Sequence, residues 1–347
     1  MHQENEKIKF AIIGCGHIGK RHAEMTRRNP EAELVAMCDV RSKEELGLND
    51  LDVPLFSSID ELLASELELD IVSICTSNGL HAEQSLKALE HGKHVVCEKP
   101  MALTTADCES IISKAMKVSK QVFCVMQNRY SPPSIWIKEV IEKKMMGEIF
   151  LVEMNCYWNR DERYYPPRQS QGNQTNWKGT KELDGGTLFT QFSHFIDLMY
   201  WLFGDIKDIQ ARFRDFTHKD TTDFEDSGFV NFNFVNGGMG CINYSTAVWD
   251  KNMGSSITII GSKGSVKVGG QYMDKVEYCH IKDYEMPELP IVSPKYDYGQ
   301  YKGAAANHHF IIENVIDTLK GGTSATTNAM EGMKVVDIIE RIYELRN

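Results

Sequence analysis

The chain has 347 residues, more than one ordinary hydrophobic core accommodates and enough for two domains. It is 42% hydrophobic and 25% charged, which sets it apart from disordered and fibrous classes. A formal net charge of -11 argues against a nucleic-acid-binding surface, yet leaves room for a local basic pocket that takes an anionic small molecule.

Residues 1–9 are polar and charged, and the first apolar run, residues 10–13, is far too short for a secretory signal. No later stretch approaches the roughly 18 apolar residues of a membrane span. The nine cysteines include no C-x-x-C pair. Cys15, Cys38, Cys75, Cys97 and Cys124 fall in or beside short apolar runs, as small hydrophobes in a reduced interior do. A cytoplasmic protein is expected.

From there the chain alternates strand and helix. Residues 7–13 are an apolar run of strand length, and residues 18–28 carry a helical pattern ended by Asn29-Pro30. Residues 34–38 form the next strand. Leu55-Phe56 is a short third strand before a helix over 59–64. Residues 70–76 make a fourth strand, with Ile71, Val72 and Ile74 nearly continuous in apolar character, as in a sheet covered on both faces. A helix over 80–91 stops at Gly92, and a fifth strand covers 94–97. Thr104-Thr105-Ala106-Asp107 resembles a capping box and opens a helix over 105–118. Residues 122–126 are a sixth strand. Such an alternation predicts a doubly wound parallel sheet, because parallel neighbours need crossovers.

The pattern changes after Arg129. Pro132-Pro133 punctuates the chain, and a helix follows over 135–144. Then come period-two strands. Phe150, Val152, Met154, Cys156 and Trp158 share one face, and Val230, Phe232 and Phe234 alternate with Asn231 and Asn233. Residues 209–214, 240–244, 256–260, 265–268 and 276–281 are further strands, with Gly261-Ser262-Lys263-Gly264 as a hairpin turn. They predict a largely antiparallel sheet with helices on one face and an open second face suited to a subunit interface. An apolar helix covers 189–203, and helices over 304–319 and 328–345 end the chain.

Gly14-Cys15-Gly16-His17-Ile18-Gly19 follows the first strand and opens the first helix. In that setting Gly14, Gly16 and Gly19 let the backbone approach a pyrophosphate at the helix N-terminus, with His17 and Ile18 beside it. The second strand ends at Asp39, about 20 residues beyond Gly19, where an acid accepts hydrogen bonds from ribose hydroxyls and repels a 2′-phosphate. NAD is therefore favoured over NADP, with Arg41 as the feature that would admit NADP. Thr76-Ser77-Asn78 lies at the carboxyl edge of the fourth strand, where ligands of such sheets sit. It reads equally as a contact to pyrophosphate or ribose and as a helix N-cap. His81, Glu98 and Gln127 complete the expected cofactor set. No metal is expected.

Glu98-Lys99-Pro100 follows the fifth strand at the same edge. A lysine there faces the nicotinamide, and its ammonium stabilises alkoxide charge developing on a substrate hydroxyl. Glu98 is placed to hold it, and Pro100 is a candidate for a cis peptide. Asp184-Gly185-Gly186-Thr187-Leu188 precedes the apolar helix, on which Thr190, His194 and Asp197, at i, i+4 and i+7, share a face. A histidine there takes the proton from a hydroxyl as hydride leaves the same carbon. The alternative is a core or capping histidine. Arg160, Arg163, Arg168 and Lys178 are mixed with Tyr164, Tyr165 and Trp177, offering cations for a diphosphate or carboxylate and rings for a sugar or uracil. The alternative is a polar loop with scattered charge. Asn307-His308-His309 opens the penultimate helix, where it approaches the substrate or caps the helix.

Taken together, Gly14-x-Gly16-x-x-Gly19, Glu98-Lys99-Pro100, Gly185-Gly186…His194-x-x-Asp197 and the Gly261–Gly264 hairpin resemble the glucose–fructose oxidoreductase / inositol dehydrogenase / MocA (Gfo/Idh/MocA) family, over essentially the whole chain. The resemblance implies a Rossmann domain followed by a sheet domain, dependence on NAD(P), and redox chemistry at a sugar or polyol carbon. It also implies that Lys99 and His194 act in catalysis. In one departure, many polyol-oxidising members carry an aspartate one helical turn before the histidine, and here that position is Thr190.

The stretches from Gln127 to Pro133, Trp158-Asn159-Arg160 and Trp177-Lys178-Gly179-Thr180 are similar to the UDP-N-acetylglucosamine and UDP-N-acetylglucosaminuronate 3-dehydrogenase branch. The fold expected is α/β: an NAD-binding Rossmann domain over 1–126, then an α+β domain over 127–347 whose last helix packs back on the first domain. The expected reaction is NAD-dependent oxidation at C3 of a UDP-N-acetylhexosamine or its uronate. Arg129, Arg160, Tyr164, Trp177, Lys178, Thr190 and His308, with Lys99 and His194, form the expected substrate set. A free polyol or sugar dehydrogenase of the inositol type and a non-catalytic NAD- and sugar-sensing regulator are the other readings. A homodimer or homotetramer through the C-terminal sheet is expected, with neither nucleic acid nor membrane as partner.

Overall fold

The computed structural model describes residues 6–167, 177–290, 297–298, 301–302 and 307–346. The chain divides into two compact units, one of residues 1–127 with 295–336, the other of residues 128–294 with 337–347. The boundary after residue 127 is therefore crossed again, because the chain returns to the first unit near its end.

In the first unit the strands are β1 (Ile8–Ile13), β2 (Ala32–Cys38), β3 (Leu55–Phe56), β4 (Ile71–Ile74), β5 (His94–Cys97) and β6 (Val122–Cys124). Between them run the helices α1 (His17–Arg28), α2 (Lys43–Leu46), α3 (Ile59–Ala64), α4 (His81–Glu90) and α5 (Thr105–Lys117). The strands pair in parallel in the order β3-β2-β1-β4-β5-β6. All four residues of β4 are buried, which explains its unbroken apolar character. The order reverses between β1 and β4, and the crevice outside their carboxyl ends is where such a sheet receives a ligand. Thr104 caps α5 by accepting the Asp107 N–H, as the capping-box pattern implies.

In the second unit α6 (Pro132–Glu142) is followed by β7 (Ile149–Tyr157), a π turn over Leu188–Phe192 and α7 (Ser193–Phe203). Then come β8 (Ile206–Arg214), β9 (Ser227–Phe234), β10 (Met239–Ser245), β11 (Gly254–Gly261), β12 (Gly264–Gly269) and β13 (Lys275–Ile281). The seven strands lie in the order β13-β12-β11-β7-β10-β9-β8. Every named pair is antiparallel except β7 with β10. Alternation sorts the side chains: Val152, Met154, Cys156, Val230, Phe232, Ile242 and Ile257 are buried on one face. The apolar residues of α7 and its preceding turn contribute to that core, with Phe192 and Phe195 against Trp158 and Phe203 against Phe234. On the opposite face Phe229, Met239 and Tyr278 are exposed.

Two final helices complete the molecule. The first, α8 (His308–Leu319), packs on α1 within the first unit. The second, α9 (Ala329–Tyr343), belongs to the first unit up to Val336 and to the second beyond it. Among the described residues no helix is long and apolar enough to cross a membrane.

Two local expectations are corrected. Pro132-Pro133 does not interrupt the chain but starts α6, three residues earlier than the pattern suggested. Ser131 caps that helix, and a proline in the first turn lacks an N–H that has no helical partner anyway. The apolar segment before the strands is not one regular α-helix. It starts with a π turn over Leu188–Phe192, whose wider winding shifts the phase on which an i, i+4, i+7 face depends.

Candidate active site

The site residues fall in two groups, one in each unit. In the first unit the glycine loop follows β1 as the pattern requires. Gly14 has φ +85°, and a Cβ on it would come within 2.7 Å of the Cys75 backbone at the end of β4. A Cβ at Gly19 would lie 1.8 Å from Gly14 O, so only glycine lets α1 pack this closely on the loop. Gly16 is different. It precedes α1 and offers no side-chain cap, and a Cβ there would meet no heavy atom within 4 Å. An uncapped helix N-terminus beside an open glycine position fits a dinucleotide pyrophosphate. His17, the first residue of α1, is exposed, and Ile18 is half-buried.

Asp39 follows β2. Its Oδ2 accepts the Cys15 N–H at 2.7 Å, which ties the acid to the glycine loop. The Arg41 fork closes on it, Nε to Oδ1 and Nη2 to Oδ2, both at 3.0 Å. Burial acts to raise the Asp39 carboxyl, but the Arg41 and Cys15 hydrogen bonds outweigh it and hold the group below its ordinary value. An ionised acid at the end of β2 is the group that accepts ribose hydroxyls.

At the carboxyl end of β4, Thr76 Oγ1 donates to Gln84 Oε1 at 2.6 Å. Ser77 precedes a short 3₁₀ turn, Asn78–Leu80, without a side-chain cap bond, and Asn78 is buried there. His81 is buried and opens α4. Its Nδ1 lies 2.7 Å from Pro100 O and its Nε2 3.2 Å from Thr76 O. The Lys99–Pro100 peptide is cis. One imidazole thus joins the Thr76 turn to the turn that carries Lys99.

Lys99 is half-buried, and its N–H donates to Glu98 Oε2 at 3.2 Å. The other oxygen of Glu98 faces His22 Nε2 at 3.0 Å and His308 Nε2 at 3.4 Å. His308, expected at the substrate, is only 1% exposed and turned to Glu98. Asn307 makes no side-chain cap bond to α8; its Nδ2 donates to Gln127 O at 3.3 Å. The donor atoms of His22, Glu98 and His308 lie within 4.8 Å of one another, a composition that metals also use. The 3.0 Å contact between His22 and Glu98 is a hydrogen bond. His22 drew no notice in the sequence; its only signal is a histidine on the buried side of α1.

In the second unit, His194 lies in the first turn of α7 and is 8% exposed. Thr190 and Asp197 have separate partners. Thr190 Oγ1 donates to Asp184 Oδ1, and the other oxygen of Asp184 accepts the Gly179 N–H at 2.7 Å. Asp184 is fully buried, and nothing in the spacing of its motif pointed to Thr190 as its partner. Asp197 pairs with Arg129, Nε to Oδ2 at 2.9 Å and Nη2 to Oδ1 at 2.6 Å. Arg129 is 2% exposed and extends beside the Trp201 ring. The substrate contact expected of Arg129 is therefore replaced by a buried pair that anchors α7.

Two cations of the expected loop, Arg160 and Lys178, converge on the Tyr164 ring. Arg160 Nε donates to Gln191 Oε1 at 2.6 Å, and its guanidinium lies 4.7 Å from the Trp158 ring centroid and 5.1 Å from that of Tyr164. Lys178 Nζ sits 4.0 Å from the Tyr164 centroid. Burial lowers the Lys178 ammonium despite the opposing charge of Asp184, and Arg160 adds to the lowering. Trp177 is half-buried, and its carbonyl accepts from Thr180. Arg163 pairs with Asp161. Arg168 lies outside the described residues.

A second buried carboxylate supports the turn before α7. Glu225 accepts from Tyr244 at 2.7 Å and from Tyr343 at 3.0 Å, and pairs with Arg346. Tyr343 Oη in turn accepts the Leu188 N–H at 2.7 Å. Sequence patterning missed this group, because its members lie far apart along the chain.

Known proteins share the order of the two domains. Residues 8–126 match the profile described as "Oxidoreductase family, NAD-binding Rossmann fold", and residues 135–267 match the GFO/IDH/MocA C-terminal domain. The WlbA dehydrogenase from Bordetella pertussis, solved in complex with NADH and UDP-GlcNAcA, is 29% identical with a TM-score of 0.85, covering 98% of this chain and 96% of that one. The WlbA enzyme from Chromobacterium violaceum, also with NADH and UDP-GlcNAcA, is 31% identical with a TM-score of 0.84, covering 98% and 94%. Inositol 2-dehydrogenase from Salmonella typhimurium is 26% identical over 212 residues, 59% of this chain and 58% of the relative. Carrying both domain profiles in order, this chain belongs to the Gfo/Idh/MocA family and is an NAD-dependent oxidoreductase.

Proposed function

We propose that the chain oxidises the C3 hydroxyl of a UDP-N-acetylhexosamine, preferably its uronate. The observation that carries this is the second-unit cluster, in which Arg160 and Lys178 are held against Trp158 and Tyr164. Cations backed by rings suit a carboxylate or diphosphate attached to a sugar, and a neutral polyol has no use for them. The likeness to two dehydrogenases solved with UDP-GlcNAcA, over 98% of the chain, supports the same substrate class.

Gly14, Gly16, Gly19 and Asp39 hold the cofactor, which when bound supplies the hydride acceptor. His194 takes the hydroxyl proton as the C–H bond breaks, leaving a ketone. The Lys99 ammonium donates to the same oxygen and stabilises its negative charge as it develops. Thr190 stays on Asp184 and leaves proton removal to His194.

The test is a screen for NADH absorbance at fixed NAD, with UDP-GlcNAcA, UDP-GlcNAc, inositols and free hexoses. Formation of NADH with the UDP-sugars, and at least about tenfold higher kcat/KM for the uronate, is expected from a charge-assisted contact. Turnover confined to inositols or hexoses would reassign the substrate to free polyols.

We also infer a homo-oligomer through the open sheet face. Phe229, Met239 and Tyr278, from β9, β10 and β13, are 61%, 56% and 55% exposed, a spread of apolar surface that a second copy of the same face would cover. Light scattering on the eluting protein should give two or four times the single-chain mass. A monomer at micromolar concentration would count against it.

A further inference from the structure

We propose that Glu98, hydrogen-bonded to His22 and approached by His308, is a positioning residue that sets the orientation of Lys99; the inference rests on the role given to Lys99 above. Three separate elements meet at this carboxylate. His22 comes from α1, which starts at the glycine loop, and His308 from the first turn of α8. Glu98 follows β5 directly. One carboxylate oxygen faces both imidazoles, at 3.0 and 3.4 Å, and the other accepts the Lys99 N–H at 3.2 Å. The two rings meet edge to face, centroids 5.6 Å apart.

The protonation state follows from the contacts. His22 Nδ1 has no hydrogen-bond partner among the described residues, and burial lowers the ring's basicity. The neutral ring therefore carries its proton on Nε2 and donates it to Glu98. Burial alone would push the Glu98 carboxyl up, but the two imidazoles outweigh it and hold the group well below its ordinary range. An ionised carboxylate this deep is costly unless its oxygens are bonded, and an apolar side chain would fill the space without that cost. What the carboxylate adds is direction. It fixes the amide of Lys99 from one side, while His81 holds Pro100 O from the other. The residues flanking Lys99 are thus each tied to the body of the unit through a buried imidazole.

The experiment is a double-mutant cycle with UDP-GlcNAcA and NAD, supported by NADH binding followed by fluorescence. E98Q keeps the shape and removes the charge. It is expected to lower kcat by about 10–100-fold, the size of effect that a misplacement of about 1 Å produces. Because both Glu98 oxygens face protein partners and not the cofactor position expected of them, NADH affinity should stay within about twofold, and E98Q in the K99M background should slow the enzyme no further. An unchanged kcat, or losses that multiply in full, overturns the proposal. H308Q, which retains a donor, carries the same cycle if E98Q does not fold, with a smaller loss that again disappears in K99M. If K99M alone keeps full rate, the role of Lys99 fails instead, a different result from a Lys99-dependent enzyme indifferent to E98Q. A crystal structure of E98Q with NADH reads the point without turnover: Lys99 Nζ displaced by about 1 Å or more supports the proposal, and a superimposable Lys99 overturns it.

Discussion

Replacing His194 by alanine is expected to lower kcat with the proposed substrate, UDP-GlcNAcA, by about 10²–10⁴-fold, the contribution of a positioned general base. NADH binding should not change, because the glycine loop and Asp39 lie in the other unit. The prediction separates two roles that a buried helical histidine can have. His194 is 8% exposed in the first turn of α7, on a helix whose other residues are mostly apolar core. A core histidine would cost stability when truncated and leave the rate of the folded enzyme intact. A base costs rate. Stopped-flow absorbance at saturating sugar and NAD gives kcat, and NADH fluorescence gives the affinity. A variant with a lower urea midpoint but a near-normal rate would return His194 to the core.

Replacing Arg129 by methionine is expected to lower the unfolding free energy by about 3–5 kcal/mol, because the buried Asp197 carboxylate loses the guanidinium paired with it. Both side chains are 1% exposed, and the guanidinium fork meets the carboxylate through two bonds of 2.9 and 2.6 Å. At that depth the penalty arises from the stranded partner more than from the lost attraction. The double replacement R129M/D197L should therefore recover most of the loss, since no charge remains to be solvated. Urea denaturation followed by tryptophan fluorescence measures both. A single-variant loss below about 1 kcal/mol would place the pair in the energetic class of surface bridges. Asp197 lies three residues beyond His194 on α7, so R129M also loosens the helix that carries the proposed base.

Much of the cofactor half was legible because its requirements are local. Gly14, Gly16, Gly19 and Asp39 occur at spacings set by one strand–turn–helix–strand unit. The clashes at Gly14 and Gly19 show why no other residue serves. The strands of the second sheet were legible because burial on one face imposes a period of two. Errors arose where a signal had two meanings. Pro132-Pro133 reads as a break from composition alone, yet Ser131 accepts the Ser134 N–H and makes the same prolines a helix start. The π turn at Leu188–Phe192 is invisible to a 3.6-residue period, since its apolar residues are buried all round.

The sequence by itself determined the succession of elements, the glycine turn after β1, the acid at the end of β2 and the placement of Lys99 beyond β5, because each depends on neighbours within a few tens of residues. Only the tertiary structure decided which charges meet. It gave Arg129 to Asp197 across 68 residues, Thr190 to Asp184, and His22 and His308 to a single oxygen of Glu98. The physical reason is the cost of desolvation. A buried charged or polar group must find a partner, but any of several distant residues of the right chemistry satisfies it, and only the packing of helices and sheets selects which one comes within hydrogen-bonding distance.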